Sequence, residues 1–260
     1  MTDIILYKSF CWSFGTTSFR TKNFNKTIEQ QLDLLDRFWS LDENREETWQ
    51  GNKILQENYY NFIHLNDFVE GNAPNRSKDA REKTSGLVDI GLIDNGRKLT
   101  EAGRALLSIA RSGDFTPDNG FQINKDSYIY LKQLLKTYYT IEGKTVRPFI
   151  VLLYLLSRFG YLSADEFKFL MPLCIDREST EEIADGIQRV RNGEATVDDI
   201  IVARLMGMDN YDTARRIFLS RRSVDETLIC FIGINRKSRD LNNPDAKMYD
   251  KPYFKLYLKL

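Results

Sequence analysis

The chain has 260 residues, 37 basic and 37 acidic side chains, a formal net charge of zero and a hydrophobic content of 42%. This composition excludes a largely disordered protein and allows one large domain or two smaller ones. Its three cysteines, Cys11, Cys174 and Cys230, are far apart, which excludes a disulfide framework and a zinc site of the CxxC kind. Since the chain has neither a signal-peptide pattern nor an apolar run that could span a bilayer, we expect a cytoplasmic bacterial protein that does not bind membranes.

Charge is sorted along the chain even though the total is zero. Residues 1–26 carry a net charge of +3, residues 27–70 carry −7, and residues 205–260 carry +4. Such sorting permits a basic face beside an acidic one, although acidic helices with solvated faces would look the same.

The first 26 residues contain a predicted strand, Ile4–Phe10, followed by a segment rich in Arg, Lys, Asn, Thr and Gly. We predict a DNA-binding arm here, because cations meet phosphates and amides can read base edges. Its candidate DNA-binding residues are Arg20, Lys22, Asn23, Asn25 and Lys26.

Residues 27–112 have the element order of a winged helix. Apolar spacing predicts helices at Thr27–Phe38, Gln50–Val69 and Asn75–Ser85, a hairpin of Gly86–Ile93 and Arg97–Thr100 around Asp94-Asn95-Gly96, and a helix at Glu101–Ala110 capped by Thr100. In that layout the third helix enters the major groove and the hairpin lies along the backbone. The candidate residues are Asn75, Arg76, Ser77, Lys78 and Arg81 on the helix, and Arg97 and Lys98 at the hairpin tip, where a cation has little structural purpose.

Residues 113–145 are predicted to link the two halves through a helix at Asp126–Tyr139, and residues 146–260 repeat the layout. The predicted elements are helices Arg147–Phe159, Ser163–Leu173, Thr180–Arg191, Val197–Met206 and Asp209–Arg222, then strand Thr227–Ile234, wing Asn235–Asp250 and strand Tyr253–Leu260. Ser163 and Glu166 form a capping box. The candidate DNA-binding residues are Arg215, Arg216, Arg221, Arg222, Arg236, Lys237 and Arg239. Because the last strand reaches Leu260 without a polar tail, we expect a domain cut from a longer chain.

One string has nuclease character. Asp165-Glu166-Phe167-Lys168 is similar to the carboxylate–lysine motif of metal-dependent nucleases. That motif requires a strand, whereas this string follows a capping serine and is predicted to be helical. We therefore predict no catalytic residue and no metal site in this chain.

The motifs Trp12-Ser13-Phe14-Gly15-Thr16-Thr17 through Arg20 and Leu99-Thr100-Glu101-Ala102-Gly103-Arg104 carry a resemblance. Together with Ile150–Gly160 and Ala214-Arg215-Arg216, they make the chain similar to the amino-terminal part of type IIS restriction endonucleases of the AlwI and BpuJI kind. This resemblance implies an arm and two winged-helix subdomains that recognise DNA. It also implies that a separate carboxy-terminal PD-(D/E)xK domain, absent from this chain, cuts outside the site with magnesium.

The sequence thus predicts a mostly α chain with small β-hairpins (α+β), made of two winged-helix subdomains joined by a helical linker. The expected function is recognition of a short asymmetric site in double-stranded DNA by a monomeric domain that needs no cofactor itself. Two alternatives remain open: a tandem winged-helix transcription regulator, and a complete nuclease that uses Asp165, Glu166 and Lys168.

Overall fold

The computed structural model describes residue 12 and residues 23–141 and 143–207, and these fall into two compact units that divide between Thr137 and Tyr138. Among these residues no helix is both long and apolar enough to cross a bilayer. Several predicted elements lie outside the described residues: strand Ile4–Phe10, helix Asp209–Arg222, strand Thr227–Ile234, wing Asn235–Asp250 and strand Tyr253–Leu260.

The first unit contains five helices within the described range. They are α1 (Phe24–Ser40), α2 (Lys53–Leu65), α3 (Arg76–Asp89), α4 (Glu101–Ser112) and α5 (Lys125–Lys136). Leu32, Leu35, Phe38, Tyr59 and Ile63 are fully buried between them, at the helical spacing that the sequence predicts. The helix of the predicted linker, α5, packs within this unit, because Tyr130 joins its core.

Short polar side chains begin three of these helices. Asn52 accepts the backbone N–H of Leu55 (3.0 Å), Asn75 that of Lys78 (3.0 Å) and Thr100 that of Gly103 (3.2 Å). Such N-caps satisfy amides that have no partner within the helix. The predicted cap at Thr100 is confirmed.

The predicted strand Gly86–Ile93 is wrong over its first half, because α3 continues to Asp89. Ala80, Thr84 and Leu87 lie at helical spacing and are buried, so packing favours a further turn of helix. Gly91, at φ 71°, follows the end of the helix, and only Ile93 pairs with Leu99 across the turn. The winged-helix identity of this unit stays a prediction.

The turn itself lies where the sequence places it. The N–H of Asp94 donates to Lys98 O (2.9 Å), and the N–H of Arg97 donates to Asp94 O (2.9 Å). The left-handed residue is Arg97, at φ 65°, rather than Asn95 or Gly96. This pattern is typical of a three-residue hairpin loop, in which glycine is the usual residue at that position.

The second unit contains a small antiparallel hairpin that was not predicted from the sequence. Strand β1 (Tyr139–Ile141) pairs with β2 (Lys144–Val146), with Thr140 opposite Thr145. The predicted helix Asp126–Tyr139 is therefore wrong at its end, because α5 stops at Lys136 and Tyr139 is in a strand. Three helices follow: α6 (Pro148–Phe159), α7 (Arg177–Arg191) and α8 (Val197–Met206).

Between α6 and α7 the chain makes a π-helical turn, Glu166–Leu170, and a 3₁₀ turn, Met171–Leu173. The predicted capping box is confirmed, since Ser163 N–H donates to Glu166 Oε2 (2.7 Å) and Glu166 N–H donates to Ser163 Oγ (3.2 Å). Pro172 cannot donate a backbone hydrogen bond, which is consistent with the regular helix ending here.

Trp12 belongs to the core of this second unit. Its side chain is only 3% exposed, its backbone N–H donates to Pro172 O (3.0 Å), and its indole Nε1 donates to Cys174 O (3.0 Å). The ring stacks on Tyr139, with 6.4 Å between centroids. The tryptophan of the motif that carries the resemblance is thus a packing anchor.

Candidate nucleic-acid interface

Of the candidate DNA-binding residues in the predicted arm, the structure describes Asn23, Asn25 and Lys26. All three are exposed at the start of α1. Asn25 Nδ2 donates to Asp126 Oδ2 (3.2 Å), so its amide is tied to α5. Arg20 and Lys22 lie outside the described residues.

The first residues of α3 hold the helix terminus together. Asn75 Oδ1 accepts both the backbone N–H of Lys78 and the Ser77 hydroxyl (3.1 Å), and Ser77 is only 5% exposed. Arg76 Nη1 donates to Asn61 Oδ1 (2.9 Å), and its guanidinium lies 6.0 Å from the centre of the Tyr60 ring. Asn75 and Ser77 therefore serve the cap, whereas Arg76 keeps its charge at the surface.

Further along α3, Lys78 and Arg81 are both exposed but have different partners. Lys78 Nζ lies 3.4 Å from Glu82 Oε1, one helical turn away. Arg81 Nη1 donates to Gln56 Oε1 (2.6 Å), and Gln56, which is only 2% exposed, donates in turn to Trp49 O (2.8 Å). A buried amide of α2 therefore orients the Arg81 guanidinium without neutralising it.

Arg97 turns from the hairpin tip towards α3. Its Nε donates to Thr84 Oγ1 (2.9 Å), its Nη1 donates to Asn95 O (3.1 Å), and its guanidinium lies 5.8 Å from the Trp49 ring centre. Trp39 Nε1 donates to the Arg97 carbonyl (2.8 Å). The expectation that a cation at this tip has little structural purpose is wrong, because Arg97 connects the turn to α3.

Lys98 is held in a similar way by uncharged groups. Its Nζ donates to Arg45 O (3.1 Å) and lies 4.9 Å from the Trp39 ring centre. Cation–π contacts of this kind fix the head of a cation and leave its charge in place.

Burial and nearby charges act on the Arg97 guanidinium in opposite directions. Burial lowers the pKa of the Arg97 guanidinium, and the Arg81 charge lowers it further, while the carboxylates of Asp89 and Asp94 raise it. The hydrogen bonds of both guanidinium groups nevertheless go to uncharged acceptors, namely Gln56, Thr84 and the Asn95 carbonyl.

Beyond Arg76, Arg81, Arg97 and Arg104, six of the nine other arginines in the described residues meet carboxylates. Arg111 bonds Asp33 and Asp36, both at 2.7 Å, and Arg204 bonds Glu182 at 3.1 Å. Further pairs of this kind involve Arg37, Arg45, Arg158 and Arg191. By contrast, Arg104 of α4, next to the turn, donates to Leu99 O (2.6 Å).

Glu166 does not fit a magnesium site. Arg191 donates two hydrogen bonds of 2.9 Å to the Glu166 carboxylate, from Nε to Oε1 and from Nη2 to Oε2. Oε2 also accepts a hydrogen bond from the backbone N–H of Ser163. The side chain is almost fully buried, and Lys168 Nζ lies 5.9 Å from the Phe169 ring centre. Both carboxylate oxygens are thus engaged, which disfavours metal binding by Asp165, Glu166 and Lys168. Within the described residues no group of three or more His, Cys, Asp and Glu side chains could hold a metal ion.

The residues that orient the arginines were not among those predicted from the sequence. Gln56 lies on the buried face of α2 between apolar neighbours, and Thr84 is fully buried on α3. A polar residue at a core position of a helix is the signal that could have found both, because buried polar groups require partners. The remaining candidates lie outside the described residues: Arg215, Arg216, Arg221, Arg222, Arg236, Lys237 and Arg239.

Comparison with known proteins finds no significant match among curated proteins and none among solved structures. The family model described as AlwI restriction endonuclease matches residues 88–247, from the last turn of α3 onwards, and thus includes the turn that carries Arg97. DNA is the substrate that this family implies. The match spans more than half of the 260 residues of the chain. The chain therefore belongs to the AlwI restriction endonuclease family.

Proposed function

We propose that this chain recognises a short asymmetric site in double-stranded DNA, as the target-recognition region of a type IIS restriction endonuclease of the BpuJI kind. The observation that carries the proposal is the set of arginines on α3, the turn and the start of α4 whose hydrogen bonds go to neutral groups. Its members are Arg76, Arg81, Arg97 and Arg104.

A neutral partner orients a guanidinium and leaves its positive charge available to a ligand. A carboxylate partner cancels that charge over distances beyond a few ångströms, as it does for Arg111. Arginine is suited to phosphates and to guanine edges because its planar fork donates two parallel hydrogen bonds. Four such arginines near one helix and turn therefore favour a nucleic-acid ligand.

In the proposed complex α3 lies in the major groove, and the Asp94–Lys98 turn follows the backbone, as in a winged helix. Arg76, Lys78 and Arg81 face the DNA from the helix, and Arg97 and Lys98 face it from the turn. The arm, with Arg20, Lys22, Asn23, Asn25 and Lys26, enters a groove. A second winged helix supplies Arg215, Arg216, Arg221 and Arg222, with Arg236, Lys237 and Arg239 on its wing.

Cleavage belongs to a separate carboxy-terminal PD-(D/E)xK domain that uses magnesium, while the recognition region binds as a monomer. The hydrogen bonds from Arg191 and Ser163 to Glu166 support this division. A nuclease that used Asp165, Glu166 and Lys168 would need the Glu166 carboxylate to bind a metal ion, and both of its oxygens are already engaged.

The test is selection from a randomised duplex library by the purified chain, with magnesium present, at two salt concentrations. We expect enrichment of one short asymmetric site and no cuts in the input DNA. A palindromic site bound by a stable homodimer would instead establish a transcription regulator, because dimers mirror operator symmetry. Cleavage that Glu166→Ala abolishes would establish a complete nuclease. Binding without enrichment that vanishes at the higher salt would reject base reading.

A further inference from the structure

Arg97 has a backbone conformation that L-residues rarely adopt. Its φ of 65° lies in the left-handed region, which is unfavourable for a residue with a Cβ and favours glycine. Such strain persists only where the surroundings fix the residue, and it is concentrated at ligand-binding and catalytic sites. The question is therefore what the Arg97 side chain contributes at this position.

Three elements fix Arg97 from different directions. Thr84 of α3 accepts its Nε–H, the Trp49 ring lies under its guanidinium, and Trp39 of α1 donates to its carbonyl. Thr84 Oγ1 also donates to Ala80 O (2.9 Å), so the hydroxyl is itself held in one orientation. The guanidinium consequently rests on the α3 turn that runs from Arg81 to Thr84.

Arg81 reaches the same place from the helix. Its Nη1 is bound by Gln56, whose amide nitrogen is bound to Trp49 O, so both arginines are tied to Trp49. Thr84 Oγ1, which accepts the Arg97 Nε–H, also donates to Arg81 O (3.2 Å), so the Arg97 side chain reaches the helical turn that carries Arg81.

The two guanidinium groups retain unused donors. Arg97 Nη2, and Arg81 Nε and Nη2, make no hydrogen bond to the described residues. These donors suit an anion that accepts hydrogen bonds from both guanidinium groups. A DNA phosphate has two non-bridging oxygens and one negative charge, which matches a pair of guanidinium forks.

We propose that Arg81 and Arg97 together bind one backbone phosphate of the DNA, with Gln56, Thr84 and Trp49 as the residues that position them. This inference rests on the proposed function and makes it specific, because it assigns Arg81 to the backbone rather than to a base. The strained turn then serves to bring a cation from the hairpin against a cation from the helix.

The experiment measures the affinity of the wild-type chain and of Arg81→Gln, Arg97→Gly and the double variant for the selected duplex and for scrambled duplexes, across a salt series. Each single variant should lose roughly tenfold in affinity for all duplexes alike and should lower the salt slope by about one unit. Since both arginines hold the same phosphate, the double variant should also lower the slope by about one unit, with a loss smaller than the product of the two single losses.

Two features of the design separate binding from folding. Arg97→Gly relieves the backbone strain, and thermal unfolding followed by circular dichroism should show that the variant is folded. Lys83→Gln removes a charge from an exposed position of α3 that lies about 200° around the helix from Arg81, and its salt slope should equal that of the wild type.

Three results would overturn the shared phosphate site. A slope lowered by about two units in the double variant would mean two separate phosphates. A changed base preference in Arg81→Gln would make Arg81 a base reader. If the folded arginine variants bound DNA with the wild-type affinity, and the wild type bound its selected duplex specifically, this phosphate site would be rejected. The proposed function would stand. A wild-type chain that binds no duplex would reject the proposed function itself.

Discussion

Arg97 of the first unit and Arg191 of the second show two opposite uses of the same side chain. Arg191 lies 4.3 Å from the Tyr161 ring centre and donates two hydrogen bonds to the buried carboxylate of Glu166. Arg97 also lies over an aromatic ring, but its hydrogen bonds go to a hydroxyl and a carbonyl. The first arrangement pairs the cation directly with a carboxylate, whereas the second orients the cation through neutral hydrogen-bond partners.

The hydrogen-bond partner of a cation indicates its role better than its exposure does. Arg111 is half exposed and yet neutralised by two carboxylates, while Arg97 is half buried and has none as a hydrogen-bond partner among the described residues. A basic side chain that neutral groups orient is a candidate for DNA binding, because no carboxylate bonded to it cancels its field.

The largest effect is expected from Arg191→Gln. It leaves the Glu166 carboxylate buried without its cation, and removing one partner of such a pair should lower the free energy of unfolding by about 3 kcal/mol. Urea unfolding followed by circular dichroism measures this loss. Arg177→Gln, on an exposed residue of α7, is the matched control and should stay within about 0.5 kcal/mol of the wild type. Equal stability of both variants would show that the pair does not hold the second unit.

The second effect tests whether the Arg97 turn depends on a close backbone approach. A Cβ added at Gly103 would lie 2.0 Å from Leu92 O, just before the turn, so Gly103→Ala should lower the free energy of unfolding by about 2 kcal/mol. Gly120→Ala, where a Cβ would meet no atom within 4 Å, is the control and should be nearly neutral. An unchanged unfolding midpoint for Gly103→Ala would contradict this account.

A smaller effect appears in acid. The hydrogen bonds from Arg191 hold the pKa of the Glu166 carboxyl below its ordinary value of 4.5, although burial acts in the opposite direction. A lowered carboxyl pKa stabilises the fold above the unfolded-state pKa, and this contribution is lost as pH falls through the folded-state pKa. The stability difference between the wild type and Arg191→Gln should therefore narrow below pH 4.5. Urea midpoints of both proteins at neutral and acidic pH measure it, and a constant difference would refute the coupling.

The smallest effect is expected at Arg111. Its pairs with Asp33 and Asp36 are partly exposed, and such pairs contribute about 0.5 kcal/mol. Arg111→Gln should therefore change the urea midpoint little and should leave the DNA salt slope unchanged, in contrast to Arg97→Gly. A lowered salt slope of DNA binding in Arg111→Gln would mean that an arginine paired with carboxylates also contacts the DNA phosphates.

Local patterns in the sequence predicted the helices of both units because those helices bury apolar residues at regular spacing. The Thr100 cap and the Ser163–Glu166 box were also predictable, since each depends on residues only three positions apart. The prediction failed at α3, where the Asn-Gly signal outweighed the helical spacing of Thr84 and Leu87. It also missed β1 and β2, which are three residues each and too short for a periodic signal.

The candidate site was predictable only as a list of cations. Arg97 and Gln56 are far apart in sequence, and both approach Trp49 through tertiary packing. Contacts between distant positions leave no local pattern. The sequence therefore indicated which residues carry charge, but not that Asp33 and Asp36 neutralise Arg111 while Thr84 orients Arg97.

The place of Trp12 makes the second unit discontinuous along the chain. Its indole fills the core formed by residues beyond Tyr138, while α1 to α5, which belong to the first unit, lie between them in the sequence. A fragment that starts at Tyr138 would lack this ring and leave the carbonyls of Pro172 and Cys174 without their donors. A unit of this architecture therefore cannot be exchanged between proteins at one junction. A chimaera needs a second crossover, one that keeps Trp12 with the unit it completes.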